Sequence, residues 1–254
     1  MSMKEQLTDL IVQRLSNASA ELKQNFRQAH PKKVARHFAL DNLLPQELAL
    51  QLHAECPKPR EMHPLSSFGE CRLKYSHLRE VSPLLKDINA AIQDQRVVAA
   101  IEDITAIHAQ QPDPSRYAGG ITALMKGHFI NPHIDNSHDV DKKLYRTVNV
   151  LYYLSPQWQT EHGGNYELWD ESIHHHVLVP YAFNRLVVME TNHHSWHAVS
   201  PVRVKQARYC IFNYFFSERC PEAKDYFNVT HYQPRPEQTF HRAIAAVQRR
   251  LFLK

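Results

Sequence analysis

At 254 residues the chain is long enough to bury a full hydrophobic core and short enough to be one structural domain. Hydrophobic residues make up 43% and charged residues 22%, the balance of a soluble globular protein, and no apolar run reaches the length of a membrane span. The formal net charge is only +4, and there is no long basic run beyond Pro31-Lys32-Lys33 and other pairs such as Lys142-Lys143, so neither a nucleic-acid partner nor a membrane surface is expected.

Residues 3–29 read as an amphipathic helix, with Leu7, Leu10, Ile11, Leu15 and Leu22 near helical spacing and Pro31 ending it. Such a stripe marks a helix docked on a core more often than a partner-binding face. Val34 to Leu44 looks like a strand running into a turn, and Pro45 opens a helix at its first position. Arg72-Leu73-Lys74-Tyr75 reads as a short strand. Ser82-Pro83 opens a helix through Ile92, and Val97 to Ile107 continues helical. Apolar runs follow at Ile121–Met125 and Phe129-Ile130. Tyr145, Thr147, Asn149, Leu151 and Tyr153 alternate onto one strand face. A hairpin is expected near His174–His176, then strands over Arg185–Met189 and Arg208–Phe216. Pro236 to Lys254 reads as a last helix, a cap or else a dimer seam, so the chain is expected as a monomer or homodimer.

Two short stretches carry chemistry: Pro132-His133-Ile134-Asp135-Asn136 and Trp196-His197-Ala198-Val199-Ser200-Pro201. His133 and Asp135 are two apart, so on a strand both side chains leave one face. A histidine arriving from a distant strand, His197, completes two imidazoles and a carboxylate. That set leaves metal positions open and suits non-haem Fe(II) that must also hold a cosubstrate and O2. Arg208 heads a buried strand, where a guanidinium is a natural bidentate partner for a carboxylate. A His-x-Asp pair alone arises about once by chance in a chain this rich in histidine; order and context give it weight. The 18 histidines include His174-His175-His176 and His193-His194. Consecutive histidines on a strand face opposite ways and chelate poorly as a block, so these read as surface residues, with His193 and His194 near the mouth of the site.

On these residues the segment from about Ile121 to Phe216 resembles the prolyl-hydroxylase branch of the Fe(II)/2-oxoglutarate dioxygenases. His133-Ile134-Asp135-Asn136 is similar to the family's His-x-Asp-Asn. Arg146 followed by Leu151-Tyr152-Tyr153-Leu154 matches its arginine and following strand. Gly163-Gly164 before Tyr166-Glu167-Leu168-Trp169 matches its double glycine. His197 to Pro201 and Arg208 to Phe216 match its distal ligand and final strand. The resemblance implies an α+β fold: a double-stranded β-helix (jelly roll) over 117–217, a supporting helical region over 1–116 and a capping region over 218–254. It implies His133, Asp135 and His197 as iron ligands, and Arg208 and Tyr153 on the distal carboxylate of 2-oxoglutarate. Asn149 then becomes a polar neighbour of that cosubstrate. Asn136, His138, Arg146 and Trp196 become candidate substrate contacts, and the polar loop Asn136–Lys143 shapes substrate entry. The implied cofactors are Fe(II), 2-oxoglutarate and O2, with ascorbate as a candidate accessory reductant.

The chain departs from the family pattern twice. His197 and Arg208 are eleven apart, a residue or two more than usual, which leaves Arg203 and Lys205 as lesser anchors. Leu124, Met125 and Lys126 stand where the family often has a tyrosine. Asp135 itself favours hydroxylation, since related halogenases lack this carboxylate. The implied reaction couples decarboxylation of 2-oxoglutarate to hydroxylation of an sp3 carbon, in a prolyl residue of a protein, a free amino acid or another small metabolite. A non-catalytic iron or 2-oxoglutarate sensor is the alternative. A Zn(II) hydrolase using the same ligands ranks last, with Glu190 as its sole evident base. The four cysteines lack paired spacing, and no long apolar stretch follows Met1, so a cytoplasmic location is expected.

Overall fold

The computed structural model describes residues 1–28, 30, 33–75, 82–113, 119–239 and 242. Its helices are α1 (Met3–Arg27), α2 (Gln46–Ala54), α3 (Pro83–Ile92) and α4 (Gln95–Thr105). Its strands are β1 (His37–Leu40), β2 (His63–Ser66), β3 (Glu70–Tyr75), β4 (Gln111–Pro112), β5 (Gly120–Leu124), β6 (Phe129–Ile134), β7 (Tyr145–Tyr153), β8 (Tyr166–Trp169), β9 (His176–Val179), β10 (Leu186–Glu190), β11 (His197–Val199), β12 (Arg208–Ser217) and β13 (His231–Tyr232).

All strand pairs are antiparallel, and the sheet runs β1-β10-β7-β12-β5-β3-β6-β11-β8-β9. It folds back on itself into a nearly closed barrel, the double-stranded β-helix that the resemblance implied. The larger half explains why β7 and β12 are buried along their length. Val148, Val150, Tyr152, Ile211 and Phe215 pack with Leu7, Ile11, Ile88 and Val98 of the helices. Leu151, Tyr153, Cys210, Phe212 and Tyr214 face the barrel interior. A sheet covered on both faces tolerates apolar residues at both parities. The alternation then decides which residues reach the site.

The helices follow local signals. Ser2 and Glu5 close a capping box on α1: Ser2 Oγ accepts from Glu5 N at 3.2 Å, and Ser2 N donates to Glu5 Oε2 at 2.8 Å. Pro45 stands at the N-cap of α2, one place before its expected position. The helicity expected over 97–107 starts at Gln95 and ends at Ala106, whose φ of 55° closes the helix in the left-handed region. Pro31 and most of the expected C-terminal helix, residues 240, 241 and 243–254, lie outside the described residues.

The sheet does not begin near residue 117. β1 pairs with β10 at one edge, while β3 lies between β5 and β6 and joins the two halves. β13, from beyond residue 217, pairs with β6. These strands are short, and partners far along the chain fix them.

Candidate active site

β6 and β11 pair so that His133 stands directly opposite His197. The ring centroids are 4.1 Å apart. Asp135 follows the last residue of β6. His133 Nε2 is 3.9 Å from Asp135 Oδ1, and His197 Nε2 is 3.6 Å from Asp135 Oδ2. One donor atom from each residue falls within 4.8 Å of the others, and all three side chains are buried.

Both rings are set the same way. His133 Nδ1 lies 2.9 Å from the Asn131 carbonyl, and His197 Nδ1 lies 2.9 Å from the Ser195 carbonyl. A carbonyl only accepts, so each Nδ1 carries the proton and each Nε2 presents its lone pair to the centre. Burial, chiefly, pulls the His133 imidazole down to about 3, so it is neutral at physiological pH. Burial acts to raise the Asp135 carboxyl, but the charges around it, led by His197 and Arg146, outweigh that effect and hold it below the ordinary carboxylate range. Two imidazoles with Nε2 turned toward the centre and a carboxylate are a donor set for a divalent transition metal with open positions. Asp135 Oδ2 has no hydrogen-bond partner.

His133 and His197 line a small cavity, together with Asn149, Arg208, Tyr214 and Arg72. Arg208 leaves the inner face of β12 and is 2% exposed. Its Nε donates to the Gly164 carbonyl at 2.6 Å, and its Cζ sits 4.8 Å from the Tyr153 ring and 4.7 Å from the Tyr181 ring. No acidic side chain pairs with it among the described residues, and its Nη2 has no hydrogen-bond partner. Tyr153, stacked on Tyr181 at 4.4 Å, likewise has a buried hydroxyl without a partner. Burial pushes that phenol well above its ordinary range, so it remains a donor. The Asn149 amide oxygen is also unpartnered. A buried unpaired cation beside an unpaired hydroxyl is costly unless an anion meets them. These residues therefore fit a dicarboxylate reaching from the metal donors toward Arg208. Arg203 and Lys205 are exposed.

Gly163-Gly164 has a physical reason. Their φ angles are +73° and +67°, and a Cβ at Gly164 would stand 2.7 Å from Arg208 Cδ. The double glycine lets the chain pass over the guanidinium.

The candidate substrate contacts divide. Arg146 is buried, with Nη1 3.6 Å from Asp135 Oδ1 and its guanidinium 3.9 Å over the Tyr214 ring. Asn136 is turned away: its Oδ1 accepts from Thr230 N at 2.5 Å and Thr230 Oγ1 at 3.0 Å. His138 packs at 4.3 Å on Tyr145 and lines a separate surface groove with Asn136 and Phe227. Trp196 is not brought to the cavity. It packs with Ile134, Trp169, Ile173 and Ala198 in a separate apolar cluster, because the residue before His197 leaves the opposite face. Glu190, the one candidate hydrolytic base, accepts from Arg36 N at 2.8 Å and Arg36 Nε at 2.6 Å.

Several residues at the site gave no signal in the sequence. Arg72 reaches the cavity from β3 and pairs with Glu70 at 2.6 Å. The Tyr232 ring lies 5.1 Å from His133. Asn228 Nδ2 donates to the Asp135 carbonyl at 2.7 Å. Each comes from a segment distant in sequence, which neither spacing nor periodicity reveals.

Residues 116–216 match the family model of the 2OG-Fe(II) oxygenase superfamily. No curated protein matches the sequence. A Pseudomonas putida prolyl-4-hydroxylase is 19% identical with a TM-score of 0.57, over 80% of this chain and 98% of that one. A prolyl 4-hydroxylase from Phytophthora capsici is 17% identical with a TM-score of 0.58, over 87% of this chain and 70% of that one. HygX from Streptomyces hygroscopicus, with nickel, 2-oxoglutarate and hygromycin B bound, is 12% identical with a TM-score of 0.52, over 78% and 93%. At these identities the structural likeness is one of fold. The domain over residues 116–216 is similar to the 2OG-Fe(II) oxygenases, which supports a 2-oxoglutarate/Fe(II)-dependent dioxygenase, and the chain is built on a fold like that of the prolyl 4-hydroxylases.

Proposed function

We propose that the chain hydroxylates an sp3 carbon, with Fe(II) held by His133 Nε2, Asp135 and His197 Nε2. In this reading Arg208 and the Tyr153 hydroxyl hold the distal carboxylate of 2-oxoglutarate, and Asn149 contributes a further polar contact. When bound, the iron supplies the oxidising chemistry, consuming O2 and 2-oxoglutarate and releasing succinate and CO2, with ascorbate keeping the metal reduced. The residues of the chain bind, orient and exclude water. The observation that carries the reading is Arg208: a 2%-exposed guanidinium without an acidic partner, its Nη2 unsatisfied, at a cavity that His133 and His197 also line.

The substrate class is a prolyl residue of a protein, a free amino acid or another small metabolite. The fold relatives include both prolyl hydroxylases and a protein that binds hygromycin B, so the fold does not choose among these. Arg146, 3.6 Å from Asp135, and Arg72, which lines the cavity, are the residues of this chain best placed to meet a polar substrate.

The test is an anaerobic titration of metal-free protein with Fe(II) and 2-oxoglutarate, watching the visible metal-to-ligand charge-transfer band. A band is expected in the wild type, with no band in His133→Ala and a much weaker 2-oxoglutarate affinity in Arg208→Ala. Absence of any band in the wild type refutes the assignment. Candidate peptides and free amino acids are then incubated with the loaded enzyme and inspected by mass spectrometry for one added oxygen. Products among metabolites alone would remove the protein-substrate version.

A further inference from the structure

His193-His194 lies outside the cavity, and strand alternation would point its two rings apart. The pair sits instead in a turn between β10 and β11, where the ring centroids are 3.5 Å apart. The turn closes on itself: Asn192 N donates to Ser195 Oγ at 3.0 Å, and His194 N to Asn192 Oδ1 at 2.9 Å. A third group arrives from beyond β12. Glu222 Oε1 stands 3.1 Å from His193 Nδ1. One donor atom from each of His193, His194 and Glu222 falls within 4.8 Å of the others, the sole such cluster besides His133, Asp135 and His197 among the described residues. Glu171, from the turn between β8 and β9, stands 2.9 Å from His194 Nδ1.

We propose that His193, His194 and Glu222 form a second divalent-metal site, of the zinc class, with Glu171 completing it. Zinc binds imidazole and carboxylate at about 2.0–2.2 Å in a tetrahedron, so its ligand atoms lie roughly 3.3–3.5 Å apart. The 3.1 Å between His193 and Glu222 is close to that edge. Mixed nitrogen and oxygen donors favour zinc over the hard cations that take oxygen alone. Without an ion, the same imidazole–carboxylate distances serve as hydrogen bonds, so little rearrangement is needed to load the site. The side chains of His193, Glu222 and His194 are 43%, 22% and 46% exposed, which gives an ion direct access.

The site has a mechanical consequence. Glu222 belongs to the segment between β12 and β13, the segment in which Asn228 holds the Asp135 carbonyl and Thr230 holds Asn136. His194 is three residues before His197. An ion bound here ties that segment, which holds the Asp135 carbonyl through Asn228, to the turn leading into β11. Tyr226 of the same segment already packs on His193 at 5.2 Å.

The experiment is equilibrium dialysis of the metal-stripped full chain against Zn(II), with bound zinc measured by mass spectrometry. The decisive background is His133→Ala, with His197→Ala in its place if the first does not fold. In that background one ion per chain is expected. It is lost on adding His193→Ala and held at least tenfold more weakly on adding Glu222→Gln. Zinc added to the His133→Ala protein should also slow amide exchange over 220–230. A His133→Ala protein that binds no zinc overturns the proposal, and so does one whose ion survives both His193→Ala and Glu222→Gln. The outcome is independent of the cavity: if the wild type and His133→Ala hold the same single ion, the surface site stands and the assignment of His133 as an iron ligand falls.

Discussion

Arg208→Met separates a binding arginine from a structural one, because the two roles predict opposite signs. The substitution removes a charged hydrogen bond to the Gly164 carbonyl at 2.6 Å, about 1.5–3 kcal/mol. It also removes two ring contacts at 4.8 and 4.7 Å, about 0.5–2 kcal/mol each. Against these stands the desolvation of a guanidinium with no acidic partner, several kcal/mol that methionine does not incur. The stability of ligand-free protein should therefore change by no more than about 2 kcal/mol in either direction, where breaking a paired buried arginine costs about 3–5 kcal/mol. Binding of 2-oxoglutarate should lose about 2–5 kcal/mol, a rise in Kd from roughly 30-fold to several thousandfold. The assays are urea unfolding of the metal-free protein and the anaerobic charge-transfer titration of the Fe(II)-loaded one. A Kd within about threefold of wild type, together with a stability loss above about 3 kcal/mol, would show that Arg208 only holds the fold and would refute the reasoning.

Gly164→Ala should act on the same guanidinium, since a Cβ there meets Arg208 Cδ at 2.7 Å and φ is +67°. Unfolding and titration together should show about 1–2 kcal/mol of lost stability from the backbone and a weaker 2-oxoglutarate Kd, and an unchanged Kd would mean that Arg208 is not displaced. Arg235→Met leaves the buried Glu167 carboxylate without its ion pair, because Arg235 is its sole cation among the described residues. A loss of about 3–5 kcal/mol is expected by urea unfolding, and restoration by adding Glu167→Met would confirm the cause. The His133 imidazole is pulled from 6.5 to about 3, so on acidification the unfolded chain takes up this proton before the folded one does. Stability of metal-free protein is thus retained above pH 6.5 and lost as pH falls toward 3, by about 1.4 kcal/mol per pH unit from this group. Urea curves at pH 7.5 and 5.5 should show a larger acid loss in wild type than in His133→Asn, and equal losses would refute the neutral assignment.

The period-2 rule made much of the site legible. It put His133 and Asp135 on one side, although Asp135 lies one residue past the end of β6, and placed Thr147, Asn149 and Tyr153 on one face of β7, where Tyr153 and Leu151 do face the barrel interior. Applied to Trp196 it gives the opposite face from His197, where the ring is found. The double glycine was legible as a pattern, but its cause, the crossing over Arg208, needed three dimensions. Asn136 looked free because its partner, Thr230, is 94 residues away. Arg72 sits in a strand whose neighbours β5 and β6 could not be inferred from Arg72-Leu73-Lys74-Tyr75 itself. The His193-His194 pair reads differently in a turn, where the strand rule that separates adjacent side chains does not apply.

The three proposed iron ligands are not held alike. His133 and His197 face each other across one antiparallel pair, so backbone register sets their separation and carbonyls two residues before each fix the ring tautomer. Local side-chain repacking leaves that arrangement intact, because opening it means opening the sheet. Asp135 lies just past the strand, and its backbone carbonyl is held by Asn228 from the segment before β13. That segment is attached by side-chain bonds, Thr230 to Asn136 and Asn228 to Ser137, by one backbone bond from Ser137 N to the Asn228 carbonyl at 3.0 Å, and by the two-residue strand β13. A disturbance of the segment therefore reaches the carboxylate before it reaches either imidazole. The metal site, so read, has a rigid half set by the sheet and an adjustable half set by a chain segment distant in sequence.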